Sequence, residues 1–415
     1  MKILMITQNF YPEIGSGANR LKNLYIQLAK KHDVEVLTTN PAYPNAKMYE
    51  EDKYWSSEEI NNSKDIMRLK MRTDKQSKSM AFRLMYYFEL AYKVRVYVKK
   101  YQHLYDTIYV TTPNIFIPWA AFFQKRDKDV KRILEVRDLW PDSVRDVEKM
   151  NINLFYPVLK FMEKMLYRQS DKIVINNEGF RNYIMKMTKN KSVLFLPNAF
   201  TESEVEFEQA PDDFRVIYTG NIGFAQSYEK LQEMAHKLEE NKINFKIIGY
   251  GMNAHLFQSY IEYKDFKYVT FEEEKTREEC LIEIRNSNIQ LSILKDSEIF
   301  LNVLPGKVID GIASGVPVVT NLGGYTSDLI NSYDVGYAKE KATADELTEA
   351  IKKVKLDDEL EARLRKNSKH LLKSHFLWEA NIEKLEDFIS DKEFKRYQPR
   401  LNSFINVKKR YFHVK

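Results

Sequence analysis

The chain has 415 residues, enough for two or three domains at roughly 150 residues each, which excludes a single small module. Hydrophobic residues make up 44% and charged residues 30%, with 13 Gly and 12 Pro, a globular balance that excludes a disordered or collagen-like chain. The net charge of +6 is local: from Asp391 onward eight Lys/Arg face two Asp/Glu, while the preceding residues balance at 57 against 57.

The N-terminal run MKILMIT reaches Gln8 and Asn9 at once. It lacks the longer apolar region of a secretory signal and reads as a buried first strand at 3–6. Further β-rich runs at 34–38, 66–69, 107–110, 133–136, 173–175 and 193–196 alternate with helical patterns, the signature of a parallel α/β sheet. No uncharged stretch reaches the roughly 20 apolar residues of a membrane span, since 109–124 is broken by Pro113, Asn114 and Pro118. An acidic, unpatterned stretch at 201–213 follows, and the alternation restarts at 216–219, 245–248, 268–271, 289–294 and 317–320. The single cysteine, Cys280, cannot close an intramolecular disulfide, and no Cys/His cluster has zinc-ligand spacing, which fits a reducing cytoplasm.

These patterns predict two Rossmann-like α/β domains, 1–200 and 201–374, joined by a linker near 200–213. Residues 375–415 supply a helix at 376–389 that crosses back toward the first domain, then the basic tail. Such sheets bind ligands beyond the carboxyl ends of their strands, so a cleft between the domains is where function is expected.

Four loops face that cleft. After the first strand, Gly15-Ser16-Gly17-Ala18-Asn19-Arg20 leads into a helix beginning near Leu21, and its small residues let a phosphate approach backbone amides. Next, Arg137-Asp138-Leu139-Trp140-Pro141-Asp142 follows a strand end, so Arg137 and Asp138 either contact a charged or hydroxyl-bearing substrate or form a structural ion pair. In the second domain, Gly220-Asn221-Ile222-Gly223-Phe224-Ala225-Gln226 lies between a strand and a helix, where amides from Gly220 to Gly223 can face a diphosphate. Finally, Leu304-Pro305-Gly306-Lys307-Val308-Ile309-Asp310 begins a helix that puts Lys307 in its first turn and Asp310 one turn on along the same face. An ammonium there can pair with a ligand phosphate and a carboxylate can accept both hydroxyls of a ribose, or the two are a helix-dipole Asp beside a solvated Lys.

Together these loops, with LPGKVIDGIASGVPVV in the last, resemble family 4 retaining glycosyltransferases of the GT-B fold. The branch they look most like is the L-fucosamine (N-acetylfucosamine) transferases of bacterial capsule and O-antigen assembly. The resemblance implies transfer of a sugar, such as an N-acetylated deoxysugar, from a UDP-linked donor with retention of configuration and no cofactor or obligatory metal. It implies catalytic roles for Asp138, Arg137 and Lys307, and donor contacts at Gly220, Asn221, Gly223, Gln226, Gly249, Asn302, Lys307 and Asp310. Gly15, Ser16, Gly17 and Arg20 form the acceptor or phosphate loop. The family's first motif acid falls on Asn302, and its two usual cations fall on Asn221 and Gln226, so backbone amides and Lys307 are expected to carry more of the diphosphate's charge.

The acceptor side is read from residues 68–100, where ten Lys/Arg and two acids are interleaved with aromatic and aliphatic residues. Such a helix suits either an anionic membrane surface, contacted by Arg83, Lys93 and Arg95, or a core helix whose cations snorkel to solvent. The capsule resemblance favours a lipid-pyrophosphate-linked saccharide acceptor and a cytoplasmic protein held peripherally at the inner face of the cell membrane. The tail, with Phe394, Tyr397, Phe404, Tyr411 and Phe412, is either a second membrane contact or a solvated terminus. No nucleic-acid partner is expected. Two other readings are a catalytically silent partner of the same fold, motivated by Asn302, Asn221 and Gln226, and a UDP-sugar 2-epimerase, which the scatter of the seven histidines disfavours.

Overall fold

The computed structural model of the chain describes residues 1–73, 80–127, 129–147, 155–188 and 191–390. The basic aromatic tail lies outside them. Strands β1 (Lys2–Ile6), β2 (Asp33–Thr39), β3 (Ile66–Leu69), β4 (Thr107–Thr111), β5 (Lys131–Val136), β6 (Lys172–Ile175) and β7 (Ser192–Phe195) form a seven-stranded sheet in the order β3-β2-β1-β4-β5-β6-β7. Strands β8 (Arg215–Asn221), β9 (Asn244–Tyr250), β10 (Val269–Glu272), β11 (Ile289–Ser292), β12 (Val318–Thr320) and β13 (Gly336–Ala338) form a six-stranded sheet in the order β10-β9-β8-β11-β12-β13. All these pairings are parallel. The central strands are therefore covered on both faces, which is why Ile3, Leu4, Met5 and Ile6 are all buried without a polar alternation.

The covering helices of the first domain are α1 (Ser16–Ala29), α2 (Glu58–Asn61), α3 (Met80–Tyr101), α4 (Phe116–Phe122), α5 (Asp142–Val147), α6 (Tyr156–Gln169) and α7 (Arg181–Thr188). Those of the second are α8 (Tyr228–Glu240), α9 (Ala254–Lys264), α10 (Arg277–Arg285), α11 (Gly306–Ala313), α12 (Gly324–Tyr333), α13 (Ala344–Lys355) and α14 (Asp358–His375), after which α15 (Trp378–Ser390) returns to the first domain. Alternate residues of β1 feed opposite cores. Leu4 and Ile6 join Tyr86, Leu90 and Leu166 on one face, while Ile3 and Met5 join Leu21, Trp378 and Leu385 on the other.

The two Rossmann-like domains expected from the periodicity are present, with three local departures. β11 stops at Ser292, short of 294, because the Leu294 amide donates to Asn321 Oδ1 (3.1 Å) instead of extending the ladder. A sixth strand of this sheet, β13, lies outside the expected runs, and its sequence Gly336-Tyr337-Ala338 carries no β-branched residue. α1 begins at Ser16, ahead of the expected 21, because Gly15 takes φ 117° and turns the chain directly from loop to helix.

The connection between domains is a pair of crossing segments. The Phe200 amide donates to Phe376 O and the Trp378 amide donates to Phe200 O, both at 2.8 Å. Arg20 of α1 reaches this crossing from below. Its Nη1 donates to Pro197 O at 2.7 Å, its guanidinium lies 5.5 Å from the Trp378 ring, and its Nε and Nη2 each lie 2.6 Å from Glu135 Oε1. Both charged side chains are almost wholly buried. Removing one partner of such a pair strands the other charge in a low dielectric. Glu135→Gln is therefore expected to lower stability by about 3 kcal/mol, read as a fall in the urea midpoint, with partial recovery in Arg20→Met/Glu135→Gln. An unchanged midpoint in the single variant would contradict this role.

Candidate active site

Both sheets have the order in which the chain reverses direction beside the first strand, so the crevice at each switch point opens toward the other domain. From the first domain it receives the N-terminus of α1, and from the second the N-terminus of α11. Neither helix start carries a side-chain cap, since Gly15 and Pro305 precede them. A Cβ placed on Gly306 would lie 3.2 Å from Ser16 Cβ, so the two helix ends nearly touch. Their uncapped amides and positive dipole ends make the gap suited to an anion. The space beside them, lined by Ser16, Asn19, Arg277 and Asp310 among others, measures about 20 Å³, room for a single water.

Lys307 lies in the first turn of α11 and aims at the loop after β8. A Cβ on Gly220, whose φ is 104°, would sit 2.9 Å from Lys307 Nζ, so only glycine lets the ammonium approach the backbone there. The same Nζ lies 4.9 Å from the Tyr218 ring centroid. Burial pushes the Lys307 ammonium down to about 8, against the pull of the Asp310 carboxylate one turn on. Asp310 also meets a residue that the motifs did not single out: Arg277 Nη2 lies 3.2 Å from Asp310 Oδ1.

The loop after β8 is braced from within. The Ile222 amide donates to Tyr250 O (2.7 Å), and the Gly223 amide donates to Gln226 Oε1 (2.9 Å). The expectation that amides from Gly220 to Gly223 all face a diphosphate is thus corrected for Ile222 and Gly223, whose donors are already engaged. Gln226, standing where a cation was expected, is buried and serves as this brace. The Asn221 side chain fills the space against Gly223 and Gly251. Gly249 is buried, and a Cβ there would meet Ile222 and Phe271 at 2.9 Å, so only glycine fits at this point of the sheet. Asn302 is exposed at its side chain and packs its backbone on Gly179 of the first domain, so it belongs to the seam between domains.

On the opposite wall, the Arg137 guanidinium lies directly over Gly17, in the first turn of α1, and its amide donates to Thr112 Oγ1 (2.9 Å). Its Nε has no hydrogen-bond partner among the described residues. Burial lowers the Arg137 pKa from its ordinary value. Beside it, burial pushes the Asp138 carboxyl up to about 6, with Arg137 pulling the other way. Arg137 thus lies at the helix end that carries Ser16 and Gly17, with Asp138 next to it in the chain. Arg20, expected in the same phosphate loop, also lines the crevice, while its guanidinium pairs with Glu135 on the interior side. Arg277 does carry a sequence signal, since Thr276-x-x-Glu279 is a capping box that starts α10 just beyond the end of β10.

The membrane residues read from α3 divide in the structure. Lys93 is tied to Glu89 Oε1 (2.6 Å) and to the Lys70 carbonyl, so it braces the preceding loop. Arg95 is exposed and donates to Phe123 O (2.8 Å), and Arg83 is half-buried.

If Asp138 acts as a carboxylate and Lys307 as an ammonium, activity requires the first deprotonated and the second protonated. We expect kcat/KM to decline as the pH drops below about 6 and as it rises above about 8, the pKa values to which burial moves Asp138 and Lys307. Asp138→Asn should abolish the acidic limb, and a flat profile from pH 5 to 9 would refute both roles.

Residues 200–371 match the Glycosyl transferases group 1 family. The chain is 21% identical over 351 residues to a protein of Escherichia coli (strain K12) named as a colanic acid biosynthesis glycosyl transferase, WcaI, covering 79% of this chain and 84% of the relative. Among solved structures, it resembles sucrose-phosphate synthase of Thermosynechococcus elongatus with a TM-score of 0.72 at 14% identity, covering 94% of this chain and 98% of the other. HepE of Anabaena, solved in complex with UDP, gives a TM-score of 0.66 at 13% identity over 94% of this chain and 100% of the other. WaaG, a glycosyltransferase involved in lipopolysaccharide biosynthesis, gives 0.64 at 14% identity over 93% and 99%. The frame is therefore that of GT-B enzymes, its second domain carries the match to the group 1 glycosyl transferases, and the chain is a glycosyltransferase.

Proposed function

We propose that the protein transfers a sugar, with retention of anomeric configuration, from a UDP-linked donor to a lipid-linked saccharide in bacterial surface-polysaccharide assembly. The observation that carries the reading is the placement of Lys307 Nζ beside Gly220, next to two uncapped helix N-termini, where a diphosphate would meet dipoles and an ammonium together. The UDP held by HepE and the colanic acid name of WcaI support the donor and the setting. An N-acetylated deoxysugar such as N-acetylfucosamine remains the donor sugar we favour, on the motif resemblance.

In this reaction the bond from the anomeric carbon to the diphosphate oxygen breaks and a bond to the acceptor oxygen forms on the same face. The acceptor proton passes to the departing phosphate oxygen. Negative charge grows on the diphosphate as positive charge grows on the sugar, so fixed donors at the former lower the barrier. Lys307 and the start of α11 serve that end, Asp310 takes the ribose hydroxyls, and ionised Asp138 accepts a hydrogen bond from the acceptor hydroxyl.

A lipid-borne acceptor requires the first domain to lie on a bilayer. Helix α3 buries Tyr86, Leu90, Val94 and Val98 but leaves Met85, Phe88, Tyr92 and Val96 exposed along the opposite side. Helix α4 packs between α3 and α6, and α6 adds exposed Phe155, Val158 and Phe161. Exposed Arg95, Lys99, Lys100, Lys164 and Arg168 lie on the same two helices. Apolar surface with flanking cations matches an anionic interface. No helix among the described residues is long and apolar enough to cross a membrane, so this contact would be peripheral.

Lys307→Ala and Asp310→Ala are each expected to lower turnover by at least about tenfold, since each removes a charge-assisted contact. In a thermal-shift panel, UDP should raise the melting temperature of the wild type and do so less in both variants. Wild-type turnover in both would sink the donor site. Phe88→Ser/Tyr92→Ser/Phe161→Ser should reduce flotation with phosphatidylglycerol vesicles while leaving UDP binding intact, and undiminished flotation would remove the membrane face.

A further inference from the structure

Asp310 is the acid that the proposed function assigns to the donor's pentose, and a carboxylate on a short helix has rotamers that would turn it elsewhere. Arg277 constrains it. The guanidinium bonds Asp310 Oδ1 at 3.2 Å, lies 4.7 Å from the Phe200 ring centroid and has Glu204 Oε1 at 3.9 Å from its Nε. Glu204 is itself fixed, with Oε2 accepting from Asn23 Nδ2 (3.1 Å) and the Thr201 amide (2.9 Å). The capping box of α10, in which the Thr276 amide donates to Glu279 Oε2 at 2.7 Å, sets the helix start from which Arg277 projects. The arrangement suits a planar fork and not a point charge, because one face stacks on Phe200 while the edge meets a carboxylate at either side. Among the described residues Asp310 Oδ2 has no hydrogen-bond partner. Arg277 and Asp310 line the same crevice, beside the α11 start.

We propose that Arg277 is a positioning residue for the donor: by holding Oδ1, it turns Oδ2 of Asp310 toward the pentose hydroxyls. This deepens the proposed function and rests on its assignment of Asp310. The test is calorimetric titration of the full chain with UDP and with 2′,3′-dideoxy-UDP, which lacks those hydroxyls, using wild type, Arg277→Gln, Arg277→Lys and Asp310→Asn. Arg277→Gln should weaken UDP about tenfold and change dideoxy-UDP by less than about twofold. Arg277→Lys should recover part of the loss, and Arg277→Gln/Asp310→Asn should bind no worse than the weaker single variant. Equal losses for both nucleotides in Arg277→Gln, the mark of a merely structural contact, would overturn the proposal, as would unchanged UDP affinity. Should Arg277→Gln fail to fold, Arg277→Lys decides by the same comparison. Wild-type UDP affinity in Asp310→Asn would instead remove the ribose assignment, a failure distinct from that of Arg277.

Discussion

The ion pair of Arg20 and Glu135 ties together the parts of this molecule that chemistry must hold in register. It joins the first turns of α1 to the end of β5, two residues before Arg137, and reaches the strand that leaves the domain at Pro197. Two ions buried this deeply are stable only while paired, so α1 cannot slide without stranding a charge. The consequence is that the helix end carrying Ser16 and Gly17 and the loop carrying Arg137 and Asp138 form one rigid wall. Trp378 packs over the same guanidinium, so the returning helix α15 is fastened to that wall too.

Against it stands a wall with few side-chain charges. Where related enzymes are implied to hold two cations, this chain has Asn221 and Gln226, and both are spent on the shape of their own loop. In the proposed reaction, positive potential comes instead from the peptide dipoles of α1 and α11 and from Lys307, whose ammonium is held at reduced pKa by its dry surroundings. Dipoles fixed in a helix need no reorganisation when charge develops on a leaving group, so fewer mobile cations do not mean weaker stabilisation.

Much of this was legible in the sequence because it depends on local pattern. The strand runs, the Gly220 loop and the Lys307–Asp310 spacing follow from periods and from the one-turn repeat of a helix. The remainder depends on partners far along the chain. Arg20 reads as a phosphate ligand until Glu135, 115 residues away, is seen beneath it. Gln226 reads as a lost cation until its oxygen is found on the Gly223 amide, and the packing of Phe271 against Gly249 has no mark in the sequence. Arg277 carries a readable helix start, but its link to Asp310 spans 33 residues and two helices. Single-sequence reasoning locates elements well and side-chain destinations poorly, since the latter are decided by tertiary neighbours.

The near-contact of Ser16 and Gly306 bears on what sets the width of the crevice, since these two residues start helices of different domains. Those domains meet where Phe200 crosses Leu377. The distance between the two positive helix ends is therefore a property of how the domains join and not of either domain alone.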